Sequence, residues 1–205
     1  QEEFNNYKSE ALAIRAICYF DLMQMYSKPF HMGNGSNRGV PLRLVANKSA
    51  EGNDLAPSDV AAIYDQILKD LNDAEATAVS DFGDDHLNVT RIHKNTIIAF
   101  KTRVYLHMNN WAQVVTESGK IVPAAAPFAA TSGVANALSP SYAGIFASPH
   151  STKESILSMP NTASNNAGTQ NHLAHYFGSG SGESYFLVTA PGSAYATMDD
   201  TDARK

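Results

Sequence analysis

The chain has 205 residues, 43% of them hydrophobic and 17% charged, with a formal net charge of -5 at pH 7. At this length roughly 70% of the unfolded surface is buried on folding, so no staple is needed, and the ordinary composition places the chain among globular proteins. The acidic balance is poor for holding phosphate backbones and excludes nucleic acid as an expected partner.

The start, Gln1-Glu2-Glu3-Phe4, lacks the basic and apolar regions of a signal peptide and already belongs to an amphipathic pattern, so further sequence is expected upstream. From Phe4 to Tyr26, apolar residues recur at Phe4, Tyr7, Ala11, Ile14, Cys18, Leu22 and Met25, the spacing of one helix face. From Ala11 onward the other faces turn apolar as well, through Leu12, Ile17, Tyr19, Phe20 and Met23, which predicts a helix enclosed on several sides. Pro29 ends it, and the glycines and asparagines from Gly33 to Gly39 form a loop leading to Val40-Pro41-Leu42. Cys18 is the single cysteine, which rules out a disulfide framework or a cysteine-rich metal site. No run of about 18 apolar residues is present.

A second helix is predicted from about Pro57 and Ser58, with Val60, Ile63, Ile67, Leu71 and Ala74 on one face, ending before Gly83. Thr90 is the expected cap of a third helix carrying Ile97, Ile98, Val104, Tyr105 and Met108. After the Asn109-Asn110 turn a fourth helix runs from about Trp111 to Val122, completing a helical hairpin. The hairpin partly satisfies the tetratricopeptide pattern of about 34 residues. Trp111 stands at the aromatic position after the turn, whereas Val114 and Ile121 replace its alanines, so the two helix pairs read as degenerate repeats.

Residues 123–205 are rich in Ala, Ser, Gly, Asn and Thr, with short candidate elements only at Ser141–Phe146, Ser155–Met159 and Leu173–Phe177. So long an irregular stretch must pack onto something. The expectation is an all-α protein: a helical tetratricopeptide-like scaffold over 1–122, and a loop-rich segment over 123–205 packing on it as part of the same domain.

The first helix, with Glu10-Ala11, Arg15-Ala16, Tyr19-Phe20, Leu22 and Tyr26, resembles the signature helix of the SusD/RagB family, and Gly39-Val40-Pro41-Leu42 fits its sequel. Ile63-Tyr64, Ile67, Asp70-Leu71 and Ala74 continue the likeness. Thr90-Arg91, Ala99, Arg103-Val104-Tyr105-Leu106 and Trp111 follow in order, then Tyr142, Phe146, Glu154-Ser155-Ile156-Leu157 and Asp202-Ala203-Arg204. Ile17 and Cys18 depart from the family, standing where aromatics are common. The resemblance implies a SusD-like helical scaffold and a lipoprotein on the outer face of the outer membrane. It implies capture of an oligosaccharide for a SusC-like TonB-dependent transporter, without catalysis and without a cofactor. Members are considerably longer, so the lipid anchor and the C-terminal half are expected outside this chain.

Arg15 lies in an apolar helix where an unpaired cation is costly, so it needs a carboxylate or several carbonyls; Asp70 is one candidate partner. Trp111 is read as a packing residue of the hairpin, although an exposed ring there could stack on a sugar. The glycan candidates are rings in polar loops: Phe30 and His31 with Asn34, Tyr176 with Phe177, Tyr185 with Phe186, and Tyr195. The hydroxyl-rich run Gly178 to Glu183 borders Tyr185; it lacks the lysine of a phosphate-binding loop and the setting of a nucleophile elbow. His172 and His175 lack a third metal ligand, and Asp81, Asp84, Asp85 and His86 do not have EF-hand spacing and read as an acidic turn. A retaining glycosidase needs two carboxylates about 5 to 5.5 Å apart. Nothing selects such a pair among Glu183, Asp199, Asp200 and Asp202. A protein- or peptide-binding helical-repeat adaptor is the alternative to glycan capture, and a glycoside hydrolase the third reading.

Overall fold

The computed structural model describes residues 2–146 and 152–160, together with 164, 168, 193, 195–202 and 204. Among the described residues five α-helices are formed: α1 Glu2–Tyr26, α2 Val60–Thr77, α3 Asp85–Thr90, α4 Lys94–His107 and α5 Trp111–Ser118. Two short strands, β1 Arg38–Pro41 and β2 Pro57–Asp59, pair antiparallel, and a single 3-10 turn covers Ala143–Phe146. The protein is mainly α among the described residues.

Two compact units divide the chain: residues 1–138 with 153–158, and residues 139–152 with 159–205. Residues up to Leu138 belong with the helices in the first unit, because the segment after α5 is pinned to them. Asn95 Nδ2 donates to the Val134 carbonyl (2.9 Å) and to Asn136 Oδ1 (3.0 Å). The backbone N–H of Ala137 reaches the Lys153 carbonyl at 3.0 Å, and Ser158 donates to the Val89 carbonyl. In the second unit, Tyr142 and Phe146 meet edge to face at 5.4 Å, and Arg204 clasps Asp202 at 2.9 and 2.6 Å, holding that carboxyl at about 2.

α1 and α2 are antiparallel, their contacts running through Ser9 and Ala74, Arg15 and Asp70, and Phe20 and Tyr64. The buried line of α1 is Ser9, Ala13, Ala16, Phe20 and Met23. This corrects the face expected from periodicity, since Phe4, Tyr7, Ala11, Ile14, Cys18, Leu22 and Met25 are all exposed. On a helix apolar on several faces, as this one is from Ala11 onward, spacing cannot choose the side a partner occupies. Small residues choose it here: Ser9, Ala13 and Ala16 let α2 approach, and Ser9 Oγ donates to the Ala74 carbonyl at 2.8 Å.

Pro57 and Ser58 belong to β2 rather than to the first turn of α2. The strand pair lies against the helices because Gly39 has no side chain; a Cβ there would stand 2.7 Å from Ile63 Cδ1. At Gly35, φ is +80° and a Cβ would come within 2.8 Å of Ala61, so this turn requires glycine twice over.

Thr90 closes α3, its hydroxyl donating to the His86 carbonyl, and does not cap the next helix. The cap of α4 is His93: Nδ1 accepts from the Asn95 N–H at 3.3 Å, and the Thr96 hydroxyl accepts from the His93 N–H at 3.4 Å. The acidic turn serves as caps too, with Asp84 accepting from Leu87 N–H and Asp81 from Gly83 N–H and Asn88 Nδ2. Asn109, with φ of +58°, reverses the chain between α4 and α5, and Asn110 caps α5.

An ion network joins α2, α4 and the end of α5. Lys101 Nζ lies 2.7 Å from Glu75 and 3.0 Å from Glu117; Lys120 Nζ lies 2.7 Å from Glu117 and 3.2 Å from Glu75. Lys101 is only 3% exposed. The two lysines hold the Glu75 carboxyl below its ordinary range against the opposing effect of burial, which is the largest influence on it.

Lys101→Ala, which leaves two enclosed carboxylates short of a cation, will lower unfolding stability in urea by about 3–5 kcal/mol. Lys69→Ala, which breaks the exposed Lys69–Asp73 pair, will leave the midpoint unchanged. His93 gives a pH signature. Burial holds its imidazole below the ordinary 6.5. Between that value and the lower folded one, the unfolded chain binds the extra proton, so this contribution is whole above pH 6.5 and declines as pH falls below it. His93→Asn keeps a capping side chain and will flatten the stability profile below pH 6.5.

Candidate ligand-binding cleft

A cleft of about 270 Å³ opens where the last turn of α1, the first turns of α2 and the end of α4 converge. Its lining is Met23, Gln24, Ser27, Pro29, Tyr64 and His107. An aromatic cluster stands behind it. Phe20 meets His107 edge to face at 5.0 Å and Tyr64 at 6.4 Å, and Phe30 meets Tyr64 at 5.2 Å. These contacts fix the Tyr64 and His107 rings as walls.

Polar groups sit among the rings. Tyr64 is 3% exposed, and burial raises its phenol above the ordinary 10, so the hydroxyl remains a neutral donor and acceptor. Ser27 Oγ donates to the Met23 carbonyl at 2.6 Å, which leaves its lone pairs to accept. Gln24 Nε2 holds the Phe20 carbonyl and Asp21 Oδ1 at 3.4 Å each, long contacts that an incoming acceptor can replace. The cleft thus offers apolar ring surface beside hydroxyl and amide groups.

Of the ring and loop residues expected to meet a glycan, Phe30, His31, Asn34 and Tyr195 are among the described residues. Phe30 is half-buried against Tyr64 and the core instead of standing free in its loop. His31 and Asn34 are exposed on the turn that follows, where Asn34 takes a φ of +50°. Tyr195 is half-buried in a turn of the second unit, its carbonyl accepting from the Met198 N–H. Tyr176, Phe177, Tyr185 and Phe186, with Gly178 to Glu183, His172 and His175, lie outside the described residues.

Arg15 and Asp70 do meet: the guanidinium forks onto the carboxylate with two contacts of 2.7 Å, and Gln66 Nε2 adds a third donor at 2.7 Å. The hydrogen bonds and charge of Asp70 raise the Arg15 guanidinium against desolvation. A second fork, Arg91 to Glu10 at 3.0 and 2.7 Å, joins α1 to the residue after α3, with Arg91 also over the Phe82 ring at 4.7 Å. Trp111, expected to pack inside the hairpin, is 60% exposed at the start of α5. The hairpin is closed by the Lys101 network and not by this ring.

Gln24, Ser27, Tyr64 and His107 were not among the sequence candidates, because three separate elements contribute them. The one available signal was polar Gln24 in the last turns of α1 and Ser27 just after it, following a largely apolar stretch from Ala16 to Met23. A second cavity, of about 70 Å³ and bordered by Ile121, Phe128, Leu138 and Ile156, is too small for a sugar ring. Among the described residues, no group of three or more His, Cys, Asp or Glu is placed to hold a metal ion, and no helix is long and apolar enough to cross a membrane. Asp199 and Asp202 are engaged with Thr201 and Arg204 in surface turns.

Two antiparallel helix pairs, the first joined by a long connection that carries a small strand pair, define a helical scaffold. Residues 1–106 match the SusD-like family described as starch-binding and associating with the outer membrane, and the chain belongs to that family. No curated protein matches. Among solved structures, a SusD superfamily protein from Bacteroides fragilis is 29% identical, with a TM-score of 0.72 over 86% of this chain and 38% of its own. A SusD superfamily protein from Bacteroides thetaiotaomicron VPI-5482 is 25% identical, with a TM-score of 0.53 over 58% of this chain and 24% of its own. A laminarin-binding SusD-like protein, 23% identical with a TM-score of 0.60, shares the fold over 77% of this chain and 31% of its own. The chain thus spans between 24% and 38% of these three proteins.

Trp111→Ala will leave thermal stability within about 0.5 kcal/mol of the parent. Phe30→Ala will lower it by about 2 kcal/mol, the share expected of a half-buried ring, as read by chemical denaturation.

Proposed function

We propose that the chain is the helical part of a non-catalytic carbohydrate receptor of the outer membrane, which captures an oligosaccharide and passes it to a SusC-like TonB-dependent transporter. The match of residues 1–106 to a family described as starch-binding and outer-membrane-associated carries this reading. The cleft supports it chemically, since sugars present a C–H face that packs on rings and hydroxyls that exchange hydrogen bonds with amides and hydroxyls. A lipid anchor outside this chain would hold the protein on the outward face of the membrane. The helical scaffold would meet the transporter.

Calorimetric titration with soluble α- and β-glucan oligosaccharides, followed by chromatography of the mixtures, tests the proposal. Binding with every oligosaccharide recovered intact is expected. Silence across neutral glycans, or the appearance of shortened products, would overturn it.

A further inference from the structure

We infer that the cleft between α1, α2 and α4 is a subsite for one terminal unit of a neutral oligosaccharide, a single hexopyranose ring. The inference rests on the carbohydrate-binding reading and says where on this chain the sugar is held. Size is the first ground. At about 270 Å³ the cleft falls just below the roughly 300 Å³ at which pockets for drug-sized ligands begin, so it takes one ring and leaves the rest of a glycan outside.

Charge is the second ground. No Asp, Glu, Lys or Arg is among the lining residues, so an acidic sugar would find no permanent cation to replace its lost water, whereas a neutral ring requires none. Hydrogen-bonding capacity is the third. Gln24 supplies an amide that can donate and accept, Ser27 an accepting hydroxyl oxygen and Tyr64 a neutral phenol, and all three line the same space. The fourth is rigidity. His107 is braced by Phe20 at 5.0 Å, and Tyr64 by Phe20 and Phe30, so the rings are in place before a ligand arrives.

The test uses the full chain and its Gln24→Ala and His107→Ala variants, both at exposed positions of their helices. Circular dichroism melting first confirms that each is folded. Maltohexaose and laminarihexaose are titrated by calorimetry, and methyl glucoside and glucuronate by amide chemical shifts in NMR. The expected result is a loss of about tenfold in affinity for the bound hexaose in each variant, the effect of removing one hydrogen bond or ring contact. Methyl glucoside is expected to shift the Gln24, Ser27 and His107 amides, and glucuronate to leave them in place. Hexaose binding at parental affinity in both folded variants would overturn the subsite and leave the receptor reading standing. Failure of the unaltered chain to bind either hexaose would overturn the subsite together with that reading, as would glucuronate binding in the cleft in preference to the neutral glycoside overturn the subsite alone.

Discussion

The fold depends on placing charge inside an otherwise apolar helical stack. Lys101 is enclosed between Glu75 of α2 and Glu117 of α5, so the hairpin of α4 and α5 can seat on α2 in only one register without stranding an ion. Shifting α4 by a turn would move the enclosed Lys101 ammonium away from Glu75 of α2 and leave that carboxylate with Lys120 as its remaining cation. Apolar packing around Ile97 and Val104 supplies the drive to associate but tolerates several alignments. The same logic operates twice more, through Arg15 with Asp70 and Arg91 with Glu10, and each fork ties α1 to a later element.

With the register fixed, the ends of three helices are brought to one place. Phe20 of α1, Tyr64 of α2 and His107 of α4 form a ring cluster because antiparallel pairing sets the end of α1 beside the start of α2, while α4 ends on the same side. The cleft is what these ends leave open. Its polar groups come from helix ends and from the turn after α1, where the chain is leaving the regular packing and side chains need not be apolar. The helix pairs supply rigidity, and the polar side chains of the cleft stand at their margin.

Several features were legible in the sequence for direct physical reasons. A cation amid apolar residues must find a carboxylate, which is why Arg15 pointed to Asp70. Val60, Ile63, Ile67, Leu71 and Ala74 lie on a helix that is apolar on one side only, and all are buried. Where a helix is apolar on several faces, as α1 is from Ala11 onward, the same reasoning chose the exposed side. His93 and Thr90 show the limit at caps: both can accept from a helix N-terminus, and only the seating of α4 against the Val134 to Asn136 segment decides that His93 does so.

The sequence alone determined the helical class, the order of the four longer helices and their family, because these follow from local periodicity, turn residues and ordered motifs along the chain. The short helix α3 and the strand pair were not legible in it. The tertiary structure decided which face of α1 is buried, that Trp111 stands exposed, that Lys153–Ser158 joins the helices, and that the ends of α1, α2 and α4 leave a cleft open. Those outcomes depend on which residues from distant parts of the chain share a space. Small residues, paired charges and helix ends set that arrangement jointly, and no single stretch of sequence contains it.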